Sequence, residues 1–245
     1  MKIRTSFVVT VLALAGSLML TARPAAKPAD ADLQAAIEHR LSQKGLLDKN
    51  NIQVSVGGMT VTLRGEVPTL AAKKRAEEQV RNVEEGCSVV NNLTVKFTGV
   101  PDTVLARTVQ DRINRYVFYS IFDWVRVEAD SGVVTLKGWG HLPWTGKQVQ
   151  TLVEKIQNVQ KINNQIQFVR GDDDIRYHAA RSIYGDPLFE PYAFSAVPPV
   201  HIIVDGPDIL LEGEVFNKAD KSWAGILAEF NTDAIHVVND LKVIK

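Results

Sequence analysis

The chain is poor in the residues that most often carry chemistry. Cys87 is the one cysteine among 245 residues, so an intramolecular disulfide and a cysteine-built metal site are both excluded. As a nucleophile Cys87 would need an activating base; beside Gly86, with no histidine near in sequence, it reads as a small, partly buried residue. The five histidines are His39, His141, His178, His201 and His236, and no two stand on one helix at metal-ligand spacing. Net charge is also missing. The 28 Lys and Arg balance 28 Asp and Glu, which argues against bulk nucleic-acid binding. Gly57-Gly58 lacks the lysine and Ser/Thr of a phosphate loop, and Asp172-Asp173-Asp174 lacks EF-hand spacing. The pattern yields no catalytic residue, no metal site and no cofactor. What remains is 45% apolar and 23% charged, a globular mix that excludes disordered, collagen-like and polytopic membrane chains.

Long apolar runs are equally scarce. The single one runs uncharged from Thr5 to Ala22, behind Lys2 and Arg4, and reads as a secretory signal. Leu20-Thr21-Ala22 puts a bulky residue where a cleavage site prefers a small one. About 17 to 18 apolar residues is also the lower limit for spanning a bilayer, so an uncleaved anchor is the alternative. Arg23 to Asp30, with Pro24 and Pro28, reads as a flexible tether. Residues 1–31 are therefore set apart as signal or anchor plus linker, and the rest is expected in the periplasm.

A repeat organises everything that follows. Val61-Thr62-Leu63-Arg64-Gly65-Glu66-Val67 is echoed by Val134-Thr135-Leu136-Lys137-Gly138 and by Ile209-Leu210-Leu211-Glu212-Gly213-Glu214-Val215. Each block is followed by an asparagine before a closing apolar strand: Asn91, Asn164 and Asn239. The glycine-to-asparagine distance is 26 residues each time, 65 to 91, 138 to 164 and 213 to 239. A constant inner spacing in three places marks three copies of one unit, divided as residues 32–99, 100–170 and 171–245.

Each copy opens with a helical stripe: Leu33, Ile37 and Leu41; Val109 and Ile113 behind Asp102 as the expected N-cap; Ile175, Ala179 and Ile183 behind the acidic run. Alternating strands follow around Gly57-Gly58, Ser131-Gly132 and Gly206-Pro207, the signature of hairpins. A second helix fills the 26-residue gap. Its packed face is read as Ala72, Ala76, Val80 and Val83, then Val149, Leu152, Val153 and Ile156, then Ala219, Trp223, Ile226, Leu227 and Phe230. A helical crossover permits a parallel third strand. The expected fold is α+β: three αββαβ units, each a three-stranded mixed sheet covered on one face by two helices. Val61, Leu63, Val134, Leu136, Ile209 and Leu211 should be core, while Thr62, Thr135 and Arg64 point outward. Gly65, Gly138 and Gly213 are read as strand ends where the backbone bends or packs closely.

The V-T-L-x-G-x-V block, the helix and the V-x-N-x-L-x-V closing strand resemble the BON domain (bacterial osmotically inducible and nodulation), in three tandem copies over residues 32–245. The second copy departs by Gly140 after its glycine and by Gln165 beside its asparagine. The third carries an insert, Tyr192 to Pro199, before its first strand. The resemblance implies an exported, non-enzymatic protein of the cell envelope, tied to phospholipid contact, envelope integrity, stress tolerance or secretion-ring assembly. It supplies no catalytic residue.

Charge and aromatics are unevenly spread. The second copy holds nine Lys and Arg against six Asp and Glu, the third six against thirteen. Tyr116, Phe118, Tyr119, Phe122, Trp124, Trp139 and Trp144 all fall in the second. A basic unit with three tryptophans fits an anionic headgroup layer. Trp139 shares the parity of Lys137, where the other copies carry Glu66 and Glu214, so lipid, a protein partner or a neighbouring copy could cover it. Trp139, Trp144, Lys137, Lys147 and Arg126 are the contact candidates. The first reading is a non-enzymatic envelope protein whose modules associate with anionic phospholipid and support envelope integrity or stress tolerance. The alternative is a structural or assembly module making protein contacts in an envelope or secretion complex, self-association included.

Overall fold

Strand parity and the two helix stripes of each copy build the same layered unit three times. The computed structural model describes residues 30–47, 50–195 and 197–244; the segment read as signal or anchor lies outside them apart from its last two residues. In the first unit α1 (Asp30–Gln43) precedes the hairpin β1 (Asn51–Gly57) and β2 (Thr60–Val67), then α2 (Leu70–Arg81) and β3 (Ser88–Val95). β1 pairs antiparallel and β3 parallel with β2. The second unit repeats this with α3 (Asp102–Asn114), β4 (Trp124–Asp130), β5 (Val133–Gly140), α4 (Thr145–Val153) and β6 (Lys161–Phe168).

The third unit adds to the plan. After α5 (Asp173–Tyr184) come a 3-10 turn (Pro187–Phe189) and α6 (Glu190–Ala193), then β7 (Val200–Asp205), β8 (Asp208–Val215) and α7 (Lys218–Phe230). Phe189 and Tyr192 of this insert are buried in the unit's core. The closing strand comes in two pieces, β9 (His236–Asn239) and β10 (Lys242–Val243), both parallel to β8. The break falls where Leu241 turns into the core.

Each sheet carries its helices on one face. α1 meets β1 and α2 meets β3, and the two helices touch; α3 with α4 and α5 with α7 do the same. Leu33, Ile37 and Leu41, four residues apart, are the buried stripe of α1. Val61, Leu63, Val134, Leu136, Ile209 and Leu211 are all buried, and Arg64 on the opposite face is exposed. The hairpin turns use left-handed backbone at Gly58, at Ser131 with Gly132, and at Gly206, which matches the twist of the paired strands.

Two expectations need correction. Asp102 is the first helical residue, and the N-cap is Pro101. The Asp102 carboxylate instead accepts from the Ser131 amide at 2.8 Å, as Asp30 accepts from Gly58 at 3.0 Å; both tie a first helix to its hairpin turn. The packed face of α7 is Ala224, Leu227 and Ala228. Trp223, Ile226 and Phe230 are exposed. Small residues let α7 lie close on its sheet, and the bulky ones fall on the opposite side.

Candidate functional site

The repeated glycines and asparagines form a frame with one geometry in all three units. Gly65, Gly138 and Gly213 lie inside β2, β5 and β8 rather than at their ends, with φ of 125°, 130° and 118°. A Cβ there would sit 1.7 Å from the Asn51 carbonyl oxygen, 1.9 Å from that of Trp124 and 1.9 Å from that of Pro199. Only glycine permits that approach at positive φ.

The asparagines clasp the closing strand to the second helix. Nδ2 of Asn91, Asn164 and Asn239 donates to the carbonyls of Lys73, Gly146 and Lys221 at 3.1, 2.9 and 2.7 Å. Each Oδ1 accepts the amide two residues on, from Leu93, Ile166 and Leu241. The second amide hydrogen goes to Glu77 or Gln150 in the first two units, both at 3.1 Å. The bonds from Arg81 and from Asn91 hold the Glu77 carboxyl below its usual range. The third unit has Gly225 at that place, and a Cβ on it would lie 2.8 Å from Asn239 Nδ2. This frame holds the fold together in each unit.

A denser site lies where the second and third units meet. Asp123, fully buried, accepts from the amides of Ser120 and His141 at 3.0 Å each and from the His141 ring at 2.8 Å. Ser120 Oγ donates to Asp123 and not to the histidine, so the pair shapes a loop and activates no hydroxyl. That loop presents its Ile121 carbonyl to the Ile202 amide of β7 at 2.7 Å. Tyr119 accepts from the Val125 amide at 3.0 Å, and burial raises its phenol above the usual range. His201 packs here, its ring 4.8 Å from Trp124 and 5.9 Å from Tyr119. It is 5% exposed, its Nδ1 has no hydrogen-bond partner among the described residues, and burial pushes it down to about 4. A cleft of about 480 Å³ opens beside it, lined by Trp124, Arg126, Glu214 and Lys242 among others.

The five contact candidates divide between the two sides of the second sheet. Arg126 and Lys137 are cross-strand neighbours, as are Trp124 and Trp139, on the face away from the helices. Trp139 is half-buried, one strand from the tryptophan that packs on the third unit, and Lys137 bonds Glu128 at 2.7 Å. Trp144, 54% exposed, caps α4 on the other side. Lys147 follows it, lining a shallow groove with Lys74 and Phe168.

The most exposed aromatics were not expected where they are. They lie on the acidic third unit: Phe194 at 81% exposure and Phe230 at 77%, with Phe216, Trp223 and Ile226 also exposed. A signal for this exists. Counting 10, 13 and 17 residues on from each motif glycine gives Arg75, Glu78 and Asn82, then Gln148, Thr151 and Lys155, then Trp223, Ile226 and Phe230. The face is polar in two units and apolar in the third, so the fold itself does not require it. Among the described residues no helix is long and apolar enough to cross a membrane, and no group of three His, Cys, Asp or Glu could hold a metal ion.

A family model described as BON domain matches residues 29–96 and 101–170. No curated protein matches the chain. Among solved structures the chain is similar to the C-terminal domain of CdsD, described as the structural protein of the type III secretion system of Chlamydia trachomatis. Identity is 15% and the TM-score 0.25, over 89% of this chain and 100% of that one. It is similar also to the PrgH periplasmic domain, at 8% identity and a TM-score of 0.22, over 82% of this chain and 100% of that one. Likeness at this level carries nothing further. The family match covers the first two units and more than half of the residues, and by it the chain belongs to the BON domain family.

Proposed function

We propose that this is a non-enzymatic, exported envelope protein that acts through protein contact, without metal or cofactor. In this reading the three units divide near residues 98–101 and 170–172, and the third is a divergent copy of the module matched in the first two. The shared glycine and asparagine geometry supports that copy. Its place is the periplasm, with the N-terminal segment either removed or kept as an anchor.

The observation that carries the reading is where exposed apolar surface meets charge. The third unit, with six Lys and Arg against thirteen Asp and Glu, bears the most exposed aromatics. An anionic lipid surface repels such a unit, whereas a protein partner can cover it. Phospholipid contact through the second unit is the other reading, favoured by exposed Trp144 beside Lys147. Coulomb attraction of about 1 kcal/mol per basic residue near the headgroups makes an excess of three charges a weak, salt-sensitive hold.

Co-sedimentation with anionic vesicles at low salt separates the two. The protein-contact reading expects the chain to stay in the supernatant. Binding that disappears in a Trp144→Ala, Lys147→Ala variant would replace it with the phospholipid reading.

A further inference from the structure

We infer that the outer face of α7 is a homodimer seam, on which a second copy of this chain docks its own α7 in antiparallel fashion. The inference rests on the protein-contact reading and names the partner. Ala219, Trp223, Ile226 and Phe230 are all exposed, and they recur at intervals of four, three and four. That is the spacing of a helix–helix seam, and it faces solvent. The equivalent positions Arg75, Glu78 and Asn82 in the first unit show that the fold accepts polar residues there. The Trp223 indole donates to Asp186 at 3.0 Å, which holds that ring in place within the stripe.

Charge selects the occupant and its direction. Lys218 and Glu229 are exposed and eleven residues apart, about three helical turns, so they flank the same side of the stripe near its opposite ends. Antiparallel pairing about a two-fold axis sets each lysine beside the glutamate of the other copy, an isologous contact in which one surface meets itself. Parallel pairing would instead put that flank of the two copies on opposite sides of the seam, where the lysine and the glutamate cannot meet. The excess acid of each third unit opposes association, but the whole chain is neutral and the repulsion is screened within about 10 Å at 0.1 M salt. One helix pair falls below the roughly 1,200 Å² of a standard interface. The dimer is therefore a weak one, with Kd on the order of tens of micromolar.

Sedimentation equilibrium of the purified chain, up to several hundred micromolar, tests this. The wild type should dimerise. Trp223→Arg, Ile226→Glu and Phe230→Asn together install the first unit's own residues, so the variant should keep its circular dichroism spectrum and be monomeric. Lys218→Glu or Glu229→Lys alone should weaken the dimer at least about threefold, and the two together should restore it. A monomeric wild type, a dimer indifferent to the triple change, or charge reversals without effect or without mutual rescue would overturn the seam. None of these results bears on the vesicle experiment, so the two readings fail separately.

Discussion

The same unit is joined to its neighbour in two different ways. Between the first and second units the contacts are mostly polar. The Ala71 amide donates to the Glu154 carbonyl at 2.8 Å, Lys74 meets the Glu154 carboxylate at 2.5 Å, and Asn158 and Gln160 bond the backbone at Thr98 and Val95. Leu70 supplies an apolar contact, packing against both cores. Between the second and third units side chains are exchanged. Ile121 and Phe122 pack against the third core, and Val197 packs against the second. Buried apolar surface is worth about 25 cal/mol per Å², whereas the Lys74–Glu154 pair sets the cost of burying the carboxylate against its attraction to a lysine that stays in solvent. The second and third units are therefore expected to unfold together, with the first coupled to them more weakly. The exchanged side chains lie in the connections after the first helices of the second and third units, residues 115–123 and 185–199.

The largest expected effect breaks a unit rather than a junction. Gly138→Ala drives a Cβ onto the Trp124 carbonyl oxygen and should cost at least about 3 kcal/mol in urea unfolding; Gly65→Ala should do the same to the first unit alone. Leu63→Ala and Leu211→Ala should each cost about 2–5 kcal/mol. Because the units differ in coupling, the Leu63 change should shift only the first unit's transition. The Leu211 change should lower the joint transition of the other two.

Acid sharpens the comparison. His201 titrates at about 4 when folded against about 6.5 unfolded, so the folded state binds fewer protons. Its contribution is complete above pH 6.5 and is lost as the pH falls toward 4, at about 1.4 kcal/mol per pH unit. The Glu212 carboxyl, raised by burial and then by Asp240, works in the opposite sense and gains stability as the pH falls. His201→Phe keeps a ring between Tyr119 and Trp124 and should flatten the histidine's share of the acid loss, read by thermal melts from pH 7 to 4.5. Smallest of all is the polar junction. Lys74→Ala leaves the buried Glu154 carboxylate to Gln150 alone and should cost about 1–2 kcal/mol, against about 3–5 for Trp124→Ala at the apolar one.

The frame was legible in the sequence because its geometry is local and repeated. A glycine that must meet a partner carbonyl and an asparagine that must reach a helix cannot drift, so their spacing survives in all three units. Strand parity likewise placed Leu63 and Leu211 correctly. What one copy alone could not reveal was which side of α7 packs. Trp223, Ile226 and Phe230 recur at helical intervals as a buried stripe would, and only comparison with Arg75 and Gln148 marks them as unusual. The packing of His201 on Trp124 depends on how units meet. That is set by loops with no periodic pattern.

The coupling of the units is tested most directly by hydrogen exchange at two amides. Ala71 and Ile202 each donate one backbone bond across a junction, at 2.8 and 2.7 Å. The amide of Ile202 should exchange only with joint unfolding of the second and third units, and that of Ala71 by local opening, at least about a hundredfold faster. Equal rates at the two positions would contradict the account.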